Sequence, residues 1–465
     1  MSRLIVVSNR VQPPSNDPNA NQGGLAVALL AALKEKGGIW FGWSGETTEK
    51  FTGHINFQQG GGVTTATVDL EEQDFDEYYN GFANRTLWPL FHYRIDLTEF
   101  ERDFKAGYVR VNARFADTVA PLVEPDDIVW VHDYHLIPLG AEMRARGMTN
   151  RMGFFLHIPW PPMRLLTSLP NHRELVESLF AYDVVGFQTH DWLDSFLSYV
   201  TGELGGTLGD NGMVTVGDRT IRAIAAPIGI ETASFEKAAQ STTARHACER
   251  MWMSATGRSL IVGVDRLDYS KGLPERFLGY ERFLASHPER SGLVYLLQIA
   301  PPSREKVDTY REIRATLDSL SGRINGEYAD MDWVPIRYVN KGYPRDMLAG
   351  IYRAARIGLV TPLRDGMNLV AKEYVAAQDP NDPGVLILSK FAGAAEQLTD
   401  AVLVNPYSAE EMSDAIATAL AMPREERIRR WEKLIDNVRR EDVMWWCELF
   451  IDALNAVPQS AEARA

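Results

Sequence analysis

Arg364-Asp365-Gly366-Met367-Asn368 stands directly after the apolar run Ile357 to Val360. It opens a segment, Met367 to Gln378, of helical composition with no proline or internal glycine. An acidic side chain and a glycine between a buried strand and a helix suit a ligand rich in hydroxyls and phosphates. The first amides of a helix have no intrahelical partner, and with the helix dipole they attract such oxygens. A plain tight turn explains Asp-Gly as well, because glycine tolerates the backbone angles. A second segment, Val264 to Gly272, reads Val-Asp-Arg-Leu-Asp-Tyr-Ser-Lys-Gly and follows the strand-like run Leu260 to Gly263. Arg266 offers a planar fork and Lys271 a point charge, so one loop carries a clamp suited to a pyrophosphate; solvated surface charge accounts for either cation alone.

The N-terminal half places comparable groups after its own apolar runs. Leu4 to Val7 leads into Ser8-Asn9-Arg10, and Gly23-Gly24 opens a helix of small apolar residues, where backbone approaches a phosphate closely. His132-Asp133-Tyr134-His135 follows Asp127 to Val131, and His157-Ile158-Pro159 follows Met152 to Leu156. Tyr78-Tyr79 and Trp88 lie in an aromatic stretch. Aromatic faces stack on sugar C–H surfaces and Asp133 accepts from sugar hydroxyls, although packing explains Tyr79 and Trp88 individually.

These groups need elements to hold them. Short apolar runs alternate with helical segments at Leu4–Val7, Asp127–Val131, Met152–Leu156, Val184–Phe187, Leu260–Val264, Leu293–Ile299, Ile357–Val360 and Val385–Leu388, which is the signature of parallel α/β structure. A chain of 465 residues is too long for one core, so two Rossmann-like domains are expected, facing across a cleft at the carboxyl ends of their strands. Ala225 to Ile230 is the hinge candidate. The expected domains are 1–235, 236–441 and a helix, 442–456, crossing back with Trp446, Leu449, Phe450 and Leu454 on one face.

Composition bounds the function. The net charge of −14 opposes nucleic acid or an anionic membrane as partner, so phosphates must be met by local cation clusters. The two cysteines, Cys248 and Cys447, lack metal or disulfide-framework spacing, which fits a reducing cytoplasm. No run approaches the length of a membrane span, and Leu4 to Val7 is too short for a signal peptide.

Taken together and in order, these segments, with Arg304 and Thr361 to Glu373, resemble the trehalose-6-phosphate synthase family, retaining glycosyltransferases of the GT-B architecture. The resemblance runs from about residue 4 to 455. It implies that Arg266 and Lys271 bind the donor pyrophosphate, that Gly23 and Gly24 close over it, and that Glu373 holds the nucleotide ribose. Asp365 and the run Gly366, Met367, Asn368, Leu369, Val370, Ala371 and Lys372 match the donor-glucose segment, with His157 contributing from the other domain and Tyr343 as an aromatic donor contact. Arg10 and Arg304 match the cations for an acceptor phosphate, and Tyr79, Trp88 and Asp133 surround the acceptor ring. Trp88 and Ile158 match selectors of acceptor anomer. Arg266, Lys271, His157 and Asp133 form the implied catalytic set.

The implied reaction moves glucose from UDP-glucose to glucose 6-phosphate with retention, giving α,α-trehalose 6-phosphate and UDP. It needs no metal and no further cofactor; the partners are these small molecules, with a homo-oligomer as an open option. Two alternatives stand beside it: a related synthase accepting glycerol 3-phosphate, and a non-catalytic sugar-phosphate sensor. Asp330-Met331-Asp332 resembles the metal-binding Asp-x-Asp of another transferase architecture, but it follows a polar run rather than a strand end.

Overall fold

The structure, a computed structural model, describes residues 3–11, 26, 29–30, 33–34, 37–60, 62–303 and 308–457. The chain forms two units. One comprises the described residues up to Ile228 together with Met444 onward, and the other comprises Gly229–Val443. The first passage, Ile228–Gly229, falls within the hinge candidate and before the expected 235. Gly229 lies so close to the backbone of Glu441 and Asp442 that any side chain would collide with it, and the Val443 N–H donates to the Ile230 carbonyl at 3.1 Å. Outgoing and returning segments therefore run side by side, which fixes where the chain changes unit.

In the first unit, β1 (Leu4–Arg10), β5 (Ile128–His132), β6 (Met152–Phe155) and β7 (Val184–Phe187) are parallel neighbours. Their interior residues are buried on both faces, as a helix-covered parallel sheet requires. The other strands are β2 (Gly38–Thr48), β3 (Asn56–Gly60), β4 (Val63–Glu71), β8 (Thr207–Leu208), β9 (Met213–Val216) and β10 (Arg219–Ala225). The sheet order is β3-β4-β2-β1-β5-β6-β7-β10-β9-β8, with antiparallel pairs only at the two edges. The order reverses direction at β1, between β2 and β5.

The helix Val443–Ala456 belongs to this unit. Trp446, Phe450 and Leu454 recur at four-residue spacing and are all 0% exposed. Phe450 stacks on Trp130 with ring centroids 4.7 Å apart, and Trp446 meets Phe155 edge-on at 5.1 Å. Gly153 and Gly186 lie beneath the Phe450 ring, where a β-carbon would overlap it.

The second unit is a parallel sheet ordered β13-β12-β11-β14-β15-β16. Its strands are β11 (Ser259–Val264), β12 (Val294–Ile299), β13 (Ile336–Val339), β14 (Ile357–Val360), β15 (Val385–Ser389) and β16 (Val402–Val404). Ile261, Leu296, Ile357 and Ile387 of the sheet pack with Phe277, Tyr280 and Ile416 of the covering helices in one core. The order reverses between β11 and β14, and in open α/β sheets ligands bind at such a switch point, at the carboxyl ends of the strands.

Candidate active site

The two loops that leave the second unit's switch point are the two stretches first singled out by sequence. They are bonded to each other: the N–H groups of Leu363 and Arg364 donate to the Ser270 carbonyl at 2.8 and 3.3 Å. After β11, Asp268 turns the chain by accepting from the Ser270 N–H at 2.9 Å, and Gly272 takes the left-handed φ of 62° that starts the helix Leu273–Ser286. After β14, Asn368 has φ 75° and opens the helix Leu369–Ala377, so the expected helix begins two residues beyond Met367.

Lys271 Nζ donates to Asp365 Oδ2, which also accepts from Asn368 Nδ2 at 3.1 Å. A clamp cation and the expected sugar-binding carboxylate thus form one ion pair. Arg266, on the same loop, is exposed. Glu373 lies one turn into the helix, where desolvation pushes its carboxyl up to about 7 against the opposing charge of Arg345. The side chains of Ala371 and Lys372 face the interior and are 0% exposed. Lys372 Nζ donates to Gln397 Oε1 at 2.7 Å, and burial pushes it down to about 7. A donor can therefore meet this part of the run through Asp365, Asn368 and the first helical turn, rather than through the Lys372 ammonium.

Beneath the clamp is a residue that sequence reasoning missed. Arg276, 0% exposed, donates from Nη1 to Asp265 Oδ2 (2.7 Å) and Gln298 Oε1 (2.8 Å), from Nε to Thr361 Oγ1 (3.0 Å), and from Nη2 to the Lys271 carbonyl (3.5 Å). One guanidinium ties the ends of β11, β12 and β14 to the cation loop. A β-carbon on Gly263 would collide with Gln298 Oε1 and Arg276 Nη1, so the glycine makes room for the hub. At helical spacing Arg276 falls on the apolar stripe of Leu273, Phe277, Tyr280 and Phe283, and a charge on that face is the signal that could have found it.

Tyr343 lines a cavity of about 530 Å³ beside the ends of β12 and β13, walled by Leu297, Ile299, Val339 and Ile351 and rimmed by Arg250, Arg337 and Lys341. Lys341 Nζ lies 5.2 Å from the Tyr343 ring centroid.

In the first unit the expected residues gather at the ends of β1, β5 and β6. Arg10 ends β1 and lies 5.7 Å from the Trp43 ring centroid. Tyr79 stacks on His135 (6.0 Å, 10°) and Phe75 (5.5 Å, 22°), within a π-helix spanning Phe75–Leu87 that the sequence did not announce. The Trp88 N–H closes that helix on the Ala83 carbonyl, and Trp88, 6% exposed, packs on His92 and Tyr134. Such wide turns are frequent at functional sites, since they re-aim side chains that an α-helix would point elsewhere. Asp133 has φ 77° and ψ 166°, a region nearly closed to side chains, and its Oδ1 accepts from the His157 N–H at 3.2 Å. His157 Nε2 lies 3.0 Å from His132 Nδ1, and Ile158 is 6% exposed beside it. Gly23, Gly24 and Arg304 lie outside the described residues.

Asp332 pairs with Arg258 at 2.7 Å and Asp330 accepts from the Met331 N–H, so the Asp-x-Asp shapes a surface turn. No group of three or more His, Cys, Asp or Glu placed to hold a metal occurs among the described residues, nor any helix long and apolar enough to cross a membrane.

Comparison with known proteins places this geometry in a family. The chain is 51% identical over 459 residues to the trehalose-6-phosphate synthase of Sinorhizobium fredii, covering 98% of this chain and 99% of that protein. Among solved structures, the UDP-forming α,α-trehalose-phosphate synthase of Burkholderia xenovorans in complex with glucose-6-phosphate matches with TM-score 0.94 and 47% identity, over 98% of this chain and 100% of that one. The E. coli trehalose-6-phosphate enzyme bound with UDP-2-fluoro glucose matches with the same score, identity and coverage. The two Rossmann-like units are those of the GT-B architecture. The family model for glycosyltransferase family 20 matches residues 2–456, and the chain belongs to that family.

Proposed function

We propose that the protein transfers glucose from UDP-glucose to glucose 6-phosphate with retention of configuration, releasing UDP and forming α,α-trehalose 6-phosphate. The observation that carries this reading is the pairing of the Val264–Gly272 and Arg364–Asn368 loops at the second unit's switch point. It joins cations for a diphosphate to a carboxylate and helix amides for a sugar. Relatives about half identical over the whole length support both substrates.

The second unit takes the donor: Arg266 and Lys271 hold the diphosphate, Asp365, Asn368 and the first helical turn the glucose, Glu373 the ribose hydroxyls, and Tyr343 lines the cavity beside them. The first unit takes the acceptor, with Arg10 for its phosphate and Tyr79, Trp88 and Asp133 about its ring. Ile158, with Trp88, selects the anomer. Gly23, Gly24 and Arg304 take the donor and acceptor roles given by the resemblance. As the C1–O bond to UDP breaks, positive charge develops on the sugar ring. The leaving diphosphate oxygen, stabilised by Arg266 and Lys271, takes the proton of the attacking hydroxyl on the same face, and the new C1–O bond forms there. The cations meet the charge a metal would otherwise balance, so the reaction is metal-independent. The place of action is the cytoplasm.

The test is NMR identification of product after incubation with UDP-glucose and either glucose 6-phosphate or glycerol 3-phosphate, in EDTA. An α,α-linked trehalose 6-phosphate is expected. Product with glycerol phosphate alone overturns the acceptor, no product with either overturns the activity, and a loss restored by divalent metal overturns metal independence.

A further inference from the structure

Gln188, His157 and His132 form a hydrogen-bonded chain whose polarity is set by one backbone amide. The Ile228 N–H donates to Gln188 Oε1 at 2.9 Å. A backbone N–H can only donate, so this oxygen is assigned without appeal to the rest of the network. Gln188 Nε2 then faces His157 Nδ1, 3.2 Å away, as the donor. His157 Nδ1 is the accepting nitrogen, and the proton of its ring sits on Nε2, 3.0 Å from His132 Nδ1. His132 accepts there and carries its own proton on Nε2. Gln188 and His132 are 1% and 0% exposed.

Burial holds both imidazoles below their ordinary range, His157 at about 3, with the neighbouring His157 ring adding to the effect on His132. Asp133 meets the His157 backbone N–H, and the rings of Phe155 and Trp446 pack against the imidazole. The chain is therefore neutral throughout, and both ring nitrogens of His157 are engaged.

We propose that Gln188 and His132 are positioning residues that act through His157, holding its ring uncharged, protonated at Nε2 and fixed in rotation beside the sugar being transferred. This rests on the proposed transfer and on the role that the resemblance implies for His157, a contribution to holding the donor glucose. The physical reason is the sign of the developing charge. A ring that gained a proton there would repel the oxocarbenium-like carbon, whereas a locked neutral ring presents only fixed dipoles. A glutamine outside the recognised motifs, and a motif histidine given no role by the resemblance, thereby help set turnover without touching substrate.

The test has two arms. In the first, ¹⁵N-histidine NMR of the intact protein, with assignments from His157→Asn and His132→Asn, reads tautomer and charge directly. Neutral Nε2–H rings that do not titrate between about pH 5 and 8 are expected for both residues; an Nδ1–H tautomer or a titrating His157 overturns the chain. In the second, Gln188→Leu and His132→Phe are each expected to lower kcat by about 10²-fold with KM for both substrates little changed. His132→Asn, which keeps an accepting oxygen, is expected to retain more of the rate. Unchanged kcat in both truncated variants overturns the positioning role even if the tautomers are right. A wild-type protein that makes no product overturns the underlying reading, and the NMR arm then still separates that failure from a failure of the chain. If a truncated variant does not fold, the wild-type spectrum and His132→Asn decide.

Discussion

Asp133 holds the least comfortable backbone of the proposed site. Its φ of 77° and ψ of 166° belong to a region that costs a side-chain-bearing residue about 1–3 kcal/mol, and the neighbouring structure must compel it. Asp133→Gly is accordingly expected to be more stable than Asp133→Ala by about that amount, measured by urea unfolding, while both lose activity through loss of the carboxylate. Equal stability of the two variants would show that the backbone is not strained there. Glu373 carries a different signature, because burial raises its carboxyl from an ordinary 4.5 to about 7. Between those values the native state keeps a proton that the unfolded chain has released. Stability therefore falls as pH rises through this window and levels off above about 7. Donor binding reverses the preference: ribose hydroxyls donate to the ionised carboxylate, so UDP affinity should rise with pH through about 7, with a proton released. Glu373→Gln should bind UDP at least about tenfold more weakly and without that pH dependence. Calorimetric titration near pH 6 and near pH 8 checks both expectations, and a flat wild-type profile would sink the assignment of Glu373 to the ribose.

At the scale of elements, the eight apolar runs that read as strands are strands, because burial on both faces leaves each a short, largely apolar block, mostly Val, Ile and Leu, with Phe and Met in β6. Less legible were β13 (Ile336–Val339), largely half-buried, and β16, three residues long, which carry too little apolar signal to stand apart from loops. The π-helix at Phe75–Leu87 was invisible for another reason: its composition is that of an ordinary helix, and no residue pattern sets the wider turn apart. The candidate site divides in the same way. Motif positions at strand ends announced themselves, but Arg276 and Gln188 did not, since their value lies in what they hold. Arg276 makes the strand ends one rigid platform, so a substitution beneath it should act at a distance. Gly263→Ala, which touches no expected ligand, must push Gln298 and Arg276 aside. It should cost about 1–3 kcal/mol in urea unfolding and weaken UDP binding, since the displaced guanidinium also bonds the Lys271 carbonyl. Wild-type affinity in a destabilised Gly263→Ala protein would show that the hub serves stability alone.

At the scale of the whole molecule, the two units have separate sheets, and the reading assigns each a different substrate. Within the described residues every group proposed for the nucleotide lies in Gly229–Val443, and every one proposed for the acceptor phosphate and ring lies before Ile228. Ligand binding stabilises what it touches by RT ln(1 + [L]/Kd), about 2.7 kcal/mol at a hundredfold excess over Kd, and amide exchange slows in the segments whose opening would break those contacts. Hydrogen exchange read by mass spectrometry should therefore separate the substrates. UDP should protect 264–273 and 361–373, with the hub strands β11, β12 and β14 following. Glucose 6-phosphate should protect the end of β1, the π-helix through Trp88, and the 132–134 turn. The helix Val443–Ala456 supplies a control, because its Trp446 and Phe450 pack on Trp130 and Phe155 of the first unit although the chain reaches it from the second. Its exchange should respond to glucose 6-phosphate rather than to UDP alone. Protection by UDP confined to the first unit would mean that the donor and acceptor assignments are exchanged, and the second unit's switch point would lose its claim to the diphosphate.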